Sequence, residues 1–540
     1  MPFGRVKTGF DSQQPDRERV FKCLKRKRLW RVFINMGALQ VNALIKAGLI
    51  TGVSLVLGLL FDYFFYAKIP GISFPLYVAL VAAGLFIVAG LLNKQIKKEA
   101  LLLLLPLIFF SVMVFVRSSA PLTLLNIVAS LLLLLVIAEV SFYGKLKNFF
   151  IADYIKIFFL PFKFILPLFQ TLSDLFSLRE ANKDKKVLSQ VIKGIVMAAP
   201  VLFIFSILFY SADLIFQKYV SDLIKIDIKP EAVFRSALVL IATLIYIGAY
   251  SYIFREAKDQ NELQQNNKTS NLGHIESSIL LGSVNVLFFI FILVQLAYLF
   301  GGDGNISAEG FTYAEYARRG FFELIAVSII SLLLLLAIEK YIIKENENHA
   351  RGFKILSTAL VIQVILIMVS AFTRLTLYEE AYGFTILRFY SHAFIILLAA
   401  VYCLLLYKIY KDKRENAFAF RGFILVASFL VIMNFFNPEA FIARRNIERF
   451  TDTGNLDIFY LSRLSDDALP DMVKALEISN DDLKKSFARE LYWRAQSRQS
   501  LYFSKWQSLN ISRMRGEKIL DSKIRELEPY KDYQQQDIDS

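Results

Sequence analysis

Eleven ionisable side chains fall into short groups that could together hold an anion. Asp62 sits in Leu59-Leu60-Phe61-Asp62-Tyr63-Phe64-Phe65, and Asp213 follows Ser211-Ala212. Glu315, Arg318, Arg319 and Glu323 belong to Tyr313-Ala314-Glu315-Tyr316-Ala317-Arg318-Arg319-Gly320-Phe321-Phe322-Glu323. Arg374, Glu379 and Arg388 share a stretch with Tyr378, Glu380 and Tyr382. Arg444 and Arg445 follow Asn437-Pro438-Glu439, within Ile442-Ala443-Arg444-Arg445-Asn446-Ile447-Glu448-Arg449. Guanidinium forks match carboxylate and phosphate oxygens two at a time, so such a set can grip an anionic headgroup or a small anionic solute. The same residues can instead pair with one another and fix helix packing. A third use is a proton or ion path through Asp62 and Glu323. Arg318, Arg374, Arg388 and Arg444 are the expected cationic partners of those two carboxylates.

Other chemistry finds little support. The histidines are His274, His349 and His392, too scattered for one metal site. No His-Glu-x-x-His, Cys-x-x-Cys, nucleophile elbow or phosphate-loop motif occurs. Gly301-Gly302-Asp303-Gly304 reads as a turn, and Ser211 and Asp213 read first as helix caps. Catalytic residues, metal ligands and cofactors are therefore not expected. Cys23 and Cys403 lie in a basic tail and an apolar stretch, so no disulfide is expected.

The elements that must position these groups are apolar. Of 540 residues, 56% are hydrophobic and 50 are Phe, with a mean hydropathy of +0.48. Eleven apolar stretches cover about 48–66, 72–92, 100–117, 120–142, 191–212, 232–254, 277–300, 321–343, 354–373, 389–407 and 420–436. A helix of about 20 residues spans a hydrocarbon core of about 30 Å and leaves no backbone group unpaired. The fold class is all-α: a polytopic transmembrane helical bundle with a small helical extracytoplasmic C-terminal domain.

The organisation follows. Residues 1–47 form a basic cytoplasmic tail, and no signal-peptide pattern occurs in them. Spans one to four occupy 48–142, and spans five to eleven occupy 191–436. Residues 143–190 form a cytoplasmic loop. Within it Asp153, Lys156, Lys163, Gln170 and Asp174 make one polar stripe on a Phe-rich body, interrupted by Pro161 and Pro167. That pattern reads as a helix lying in the interface, with a twelfth span as the alternative. Residues 255–273 are a polar linker. Residues 437–540 carry short helices, with Ser465-Asp466-Asp467 and Ser479-Asn480-Asp481-Asp482 as starts. Leu469, Met472, Val473 and Leu476, then Leu483, Phe487 and Leu491, then Ile519, Ile524 and Leu527 are their expected buried sides.

Charge sets the orientation. The net charge is +15, but residues 437–540 hold 17 basic and 18 acidic side chains, so the excess belongs to the membrane part. Loops on the N-terminal side of the barrier hold 22 Lys/Arg, and loops on the other side hold 9. By the positive-inside rule the N-terminus is cytoplasmic, and the eleven candidate side chains share the outer face. Basic residues flanking spans are explained by orientation and anionic lipid, so a nucleic-acid partner is not expected. The expected partners are the lipid bilayer, an anionic lipid or small anionic solute, and a protein docked on the C-terminal helices.

Several segments carry a family resemblance. They are Gly58-Leu59-Leu60-Phe61-Asp62 with Pro70-Gly71-Ile72-Ser73-Phe74-Pro75, Ser211-Ala212-Asp213, and the string from Tyr313 to Phe321. The others are Asn437-Pro438, the run from Ile442 to Arg449, Leu456-Asp457, and Tyr460-Leu461-Ser462-Arg463-Leu464-Ser465-Asp466-Asp467-Ala468-Leu469-Pro470. Over most of residues 48–475 the chain resembles the bacterial multi-pass membrane families named domain of unknown function 4173 and 4153. The resemblance implies a bacterial cytoplasmic membrane and supplies no activity, cofactor or site. The leading expectation is a non-enzymatic protein that binds, senses or moves an anionic lipid or envelope small molecule at its outer face. The alternatives are an ion-coupled permease, an intramembrane transferase on a lipid-linked substrate, and a structural or assembly protein.

Overall fold

The computed structural model describes residues 43–141, 145–176, 230–254, 273–299, 321–342, 347–411, 414–478, 480–497 and 505–533. Among them the regular elements are helices. The first four are α1 (Ala43–Phe65), α2 (Ser73–Leu91), α3 (Lys98–Val116) and α4 (Ala120–Val140). Next come α5 (Ile151–Phe158), α6 (Ile165–Phe176), α7 (Pro230–Phe254), α8 (His274–Leu299) and α9 (Phe321–Tyr341). The longest, α10 (Glu347–Tyr382), precedes α11 (Ile386–Tyr410) and α12 (Glu415–Phe436). Three longer helices follow among the described residues: α13 (Pro438–Thr453), α14 (Asp481–Ser497) and α15 (Ile511–Leu527).

Ten of the described helices, α1–α4 and α7–α12, are long and apolar enough to cross a membrane. They coincide with ten of the eleven apolar stretches. The remaining stretch, 191–212, lies outside the described residues, as does most of the linker at 255–273. The segment from α5 to α6 is bent at a break and counts as an eleventh crossing only if taken as one broken span. The protein is a multi-pass membrane protein built as a helical bundle.

Hydropathy located the spans but not every helix end. Residues 374–382 read as loop in the sequence, yet α10 runs through them to Tyr382. At 1.5 Å per residue its 36 residues extend about 54 Å, well beyond a core of about 30 Å. Leu375, Leu377, Glu379, Glu380 and Ala381 are good helix formers, and no Gly or Pro interrupts before Gly383. A fall in hydropathy marks the edge of the membrane. The helix stops only where a backbone signal stops it.

Two compact units make up the chain. In one, built from residues up to 62, 84–94 and 161–255, lysines serve the end of α7. Lys46 Nζ donates to the Phe254 carbonyl at 2.7 Å, and Lys94 Nζ does so at 3.3 Å. Both cations thus meet the negative end of the helix dipole. Thr171 Oγ1 donates to Ser251 Oγ at 2.7 Å, joining α6 to α7.

The other unit holds 63–83, 95–160 and 256–540. Leu335, Leu360, Val361, Val364, Tyr402 and Leu405 form the centre of its core on α9, α10 and α11. Polar side chains key neighbouring helices where a lost partner would face hydrocarbon. Tyr402 donates to the Ser328 carbonyl at 2.6 Å, and Asn285 Nδ2 donates to the Leu356 carbonyl at 3.1 Å. Asn126 on α4 and Asn434 on α12 exchange two amide bonds, both 2.8 Å, and both residues are fully buried. The buried Lys408 pairs with Glu339 on α9.

A second core closes the C-terminal part. It joins Ile442 and Ala443 of α13 to Leu461, Leu469 and Met472, to Phe487 and Leu491 of α14, and to Leu520 and Leu527 of α15. The expected start at Asn480 is present, since its Oδ1 accepts from the Leu483 amide at 3.1 Å. The expected start at Ser465-Asp466-Asp467 is different: the short helix Leu469–Met472 follows Ala468, with no side-chain cap. The carboxylates are engaged over longer range. Asp467 Oδ2 accepts from the amides of Ser118 and Ser119 at 2.8 and 2.7 Å, and Oδ1 accepts from Ser512 Oγ at 2.5 Å. Those two amides stand at the N-terminus of α4, where donors lack helical partners and an anion is favoured. Asp466 accepts from Arg494 at 2.7 Å.

Candidate functional site

One group of buried ionisable side chains lies where α10 ends and α11 begins. Arg374 and Glu379 fall on the buried stripe of α10, with Ala371 and Leu375. Arg374 is 7% exposed and Glu379 3%. Glu379 Oε2 lies 3.3 Å from His392 Nδ1 on α11. The other imidazole nitrogen lies 3.3 Å from both Thr376 Oγ1 and the Phe372 carbonyl. Glu379 Oε1 is buried and has no hydrogen-bond partner. An imidazole against a carboxylate can take up and pass on a proton, and an open buried oxygen invites a donor.

The chain folds back here through a three-residue turn. Gly383 has φ +82°, and a Cβ there would come within 2.8 Å of Asn446 Oδ1. Thr385 caps α11 by accepting from the Arg388 amide. Asn446 of α13 clamps the turn: its Oδ1 accepts from the Phe384 amide at 2.7 Å and its Nδ2 donates to the Phe384 carbonyl at 2.8 Å. The Tyr460 hydroxyl accepts from the Ile386 amide at 2.7 Å, and burial pushes its phenol pKa upward. Gly383→Ala should therefore destabilise the protein by about 1–3 kcal/mol, through strain at positive φ and the clash with Asn446. Thermal unfolding of the detergent-purified variant measures this, and an unchanged midpoint would show that the turn relaxes freely.

The structure divides the eleven sequence candidates. It brings the 374–388 and 437–449 groups together, through Asn446, Tyr460 and Arg449, whose guanidinium donates to the Glu380 and Ala381 carbonyls, each at 2.6 Å. Arg388, Arg444 and Arg445 have partners among the described residues. Arg388 donates to the Gly383 carbonyl and stacks 4.0 Å over the Tyr378 ring. Arg444 lies 4.0 Å from Asp471, and Arg445 pairs with Glu448 at 3.1 Å. Glu323 is exposed near the start of α9. Asp213, Glu315, Arg318 and Arg319 lie outside the described residues.

Asp62 corrects an expectation. Its partner is none of the four arginines named from the sequence but Arg235, which donates from Nη2 at 2.6 Å and from Nε at 3.1 and 3.2 Å. The sequence carried a signal for this. Arg235 stands one turn into an otherwise apolar helix, where a cation is costly unless paired. His392 was also missed, because histidines were weighed only as a set of metal ligands. Among the described residues no group of three or more His, Cys, Asp or Glu could hold a metal ion.

No curated protein and no solved structure matches the chain. A family model does match, over residues 104–475, and it is the second of the two families that the motifs resemble. The match leaves out Gly58–Asp62 and Pro70–Pro75 and takes in α10, α11, α13 and the Asp467 segment. The chain belongs to the family described as Domain of unknown function (DUF4153).

Proposed function

We propose that the protein binds an anionic lipid headgroup or small anionic solute where α10 meets α11, and that binding is linked to proton uptake. The observation that carries this is the buried Glu379–His392 pair at the end of two consecutive spans, with no hydrogen-bond partner for Glu379 Oε1 and with Arg374 buried on the same stripe of α10. Ionisable side chains inside spans are expensive and mark ligand or proton routes. Arg374 supplies the positive charge. A buried carboxylate on the same stripe repels an anion, and a proton on the Glu379–His392 pair removes that charge, so proton and anion favour each other's binding. The loop charges support placing this end on the non-cytoplasmic side of a bacterial inner membrane. They equally support laying the bent α5–α6 segment in the cytoplasmic interface.

Native mass spectrometry of the purified protein tests the reading, at about pH 6 and about pH 8. Wild type should retain an anionic species better at the lower pH. Arg374→Gln should lose it, and Glu379→Gln should hold it equally at both. Identical bound species in wild type and Arg374→Gln would overturn the proposal.

A further inference from the structure

The segment from Lys505 to Lys518 is folded inside out. Gln507, Ser508 and Asn510 are buried, at 5%, 3% and 1% exposure. Trp506, Leu509, Ile511 and Met514 between and after them are 44%, 39%, 39% and 42% exposed. A water-facing edge has the opposite pattern, polar outward and apolar inward. Ile511, Met514 and Lys518 follow at steps of three and four on α15, with Arg515 four residues after Ile511, so one face carries them all.

This edge is fastened to the ends of spans. Asn510 Nδ2 donates to the Val114 and Arg117 carbonyls at 3.1 and 2.9 Å, filling acceptors that the end of α3 leaves open. The Leu509 carbonyl accepts from the Ile72 amide at 2.8 Å. Gly71 allows that approach, since a Cβ there would lie 2.2 Å from the same oxygen. The Trp506 ring packs 5.9 and 6.4 Å from Phe64 and Tyr63 in the last turn of α1. Tyr63 is itself half exposed, so the exposed apolar edge extends onto the last turn of α1.

We infer that Lys505–Lys518 is a membrane foot. Trp506, Leu509, Ile511 and Met514 lie in the boundary between headgroups and acyl chains, with Lys505, Arg515 and Lys518, all exposed, toward anionic headgroups. Tryptophan at the end of a span and lysine or arginine beside an apolar face suit that depth. Glu517 is also exposed on this helix, so the attraction comes from a small net positive charge. The foot rests on its own observations and is independent of the α10–α11 proposal.

The chain has three tryptophans, so Trp30→Phe with Trp493→Phe leaves Trp506 as sole reporter. This variant is reconstituted in bilayers of phosphatidylcholine and phosphatidylglycerol. Lipids brominated just below the carbonyl should quench Trp506 by about half, the depth expected for an interfacial helix, and aqueous iodide should quench it weakly. Strong iodide quenching with no effect of brominated lipid would overturn the inference. Weak quenching by both agents, with a dimer after cross-linking, would assign the face to a second copy and overturn it too. A nitroxide on Met514→Cys, in a background lacking Cys23 and Cys403, gives a second reading. Its collisions with oxygen should exceed those with a water-soluble nickel complex, and the reverse order would sink the foot.

Discussion

Asp467→Ala should lower stability by about 3–5 kcal/mol, the range for stripping one partner from a buried charged network. The carboxylate is 4% exposed and accepts from two backbone amides and the Ser512 hydroxyl, with Arg117 Nη1 at 3.8 Å. Removing it leaves three donors unpaired, two at the N-terminus of α4 and one on α15, each worth about 1–3 kcal/mol if water cannot replace the acceptor. Asp467→Asn should fall between wild type and alanine. Its amide keeps one acceptor oxygen but turns an NH2 toward donors. Because Asp467 joins the α3–α4 turn to the C-terminal helices, the alanine variant should also expose the segment after Asn437 to protease. Equal melting midpoints and equal digestion for wild type and Asp467→Ala would show that the network is dispensable.

The second large effect is expected at Arg494. Its guanidinium donates to the Ser462 and Leu464 carbonyls at 2.7 and 2.6 Å and to Asp466 at 2.7 Å. Burial pushes its pKa down to about 10, against the upward pull of Glu439, so it stays charged at neutral pH. Arg494→Ala orphans two carbonyls and a carboxylate together, and a loss of about 3 kcal/mol or more follows. Arg494→Lys should recover less than half of it, because one ammonium cannot reach acceptors set out for a planar fork. Hydrogen exchange over 458–497 gives the readout: protection should fall there and hold in α10 and α11. Unchanged exchange in Arg494→Ala would reject the assignment.

The spans were legible because the bilayer imposes one rule on every residue that crosses it. Runs of about 20 apolar residues therefore pointed to α1–α4 and α7–α12 one by one. The periodic apolar positions of the C-terminal helices were legible for a related reason. Phe487 and Leu491 stand four apart on α14, and both are buried. Partners were not legible. Asp62 meets Arg235 across 173 positions, and Asp467 meets Ser118 and Ser119 across about 349. No local pattern encodes a contact of that range. Asp467 misled for a further reason, since Ser-Asp-Asp before an apolar run has the composition of a helix cap. Of the candidate residues, the concentration at 374–388 and 437–449 was readable and the partners were not. Arg388, Arg444 and Arg445 suit either an anion or partners within the protein, and the fold sets them against its own carbonyl, ring and carboxylates.

The reciprocal amides of Asn126 and Asn434 restrict how this protein can move. Each side chain both gives and receives, so the two bonds form or fail together. Sliding α4 against α12 by a single residue shifts the contact by about 1.5 Å and turns it by about 100°, which strands both amides in an apolar interior. Intermediate positions have no foothold. In any working cycle of the bundle, α4 and α12 must therefore travel as one piece. Displacement between spans has to be sought along seams that lack such a dowel.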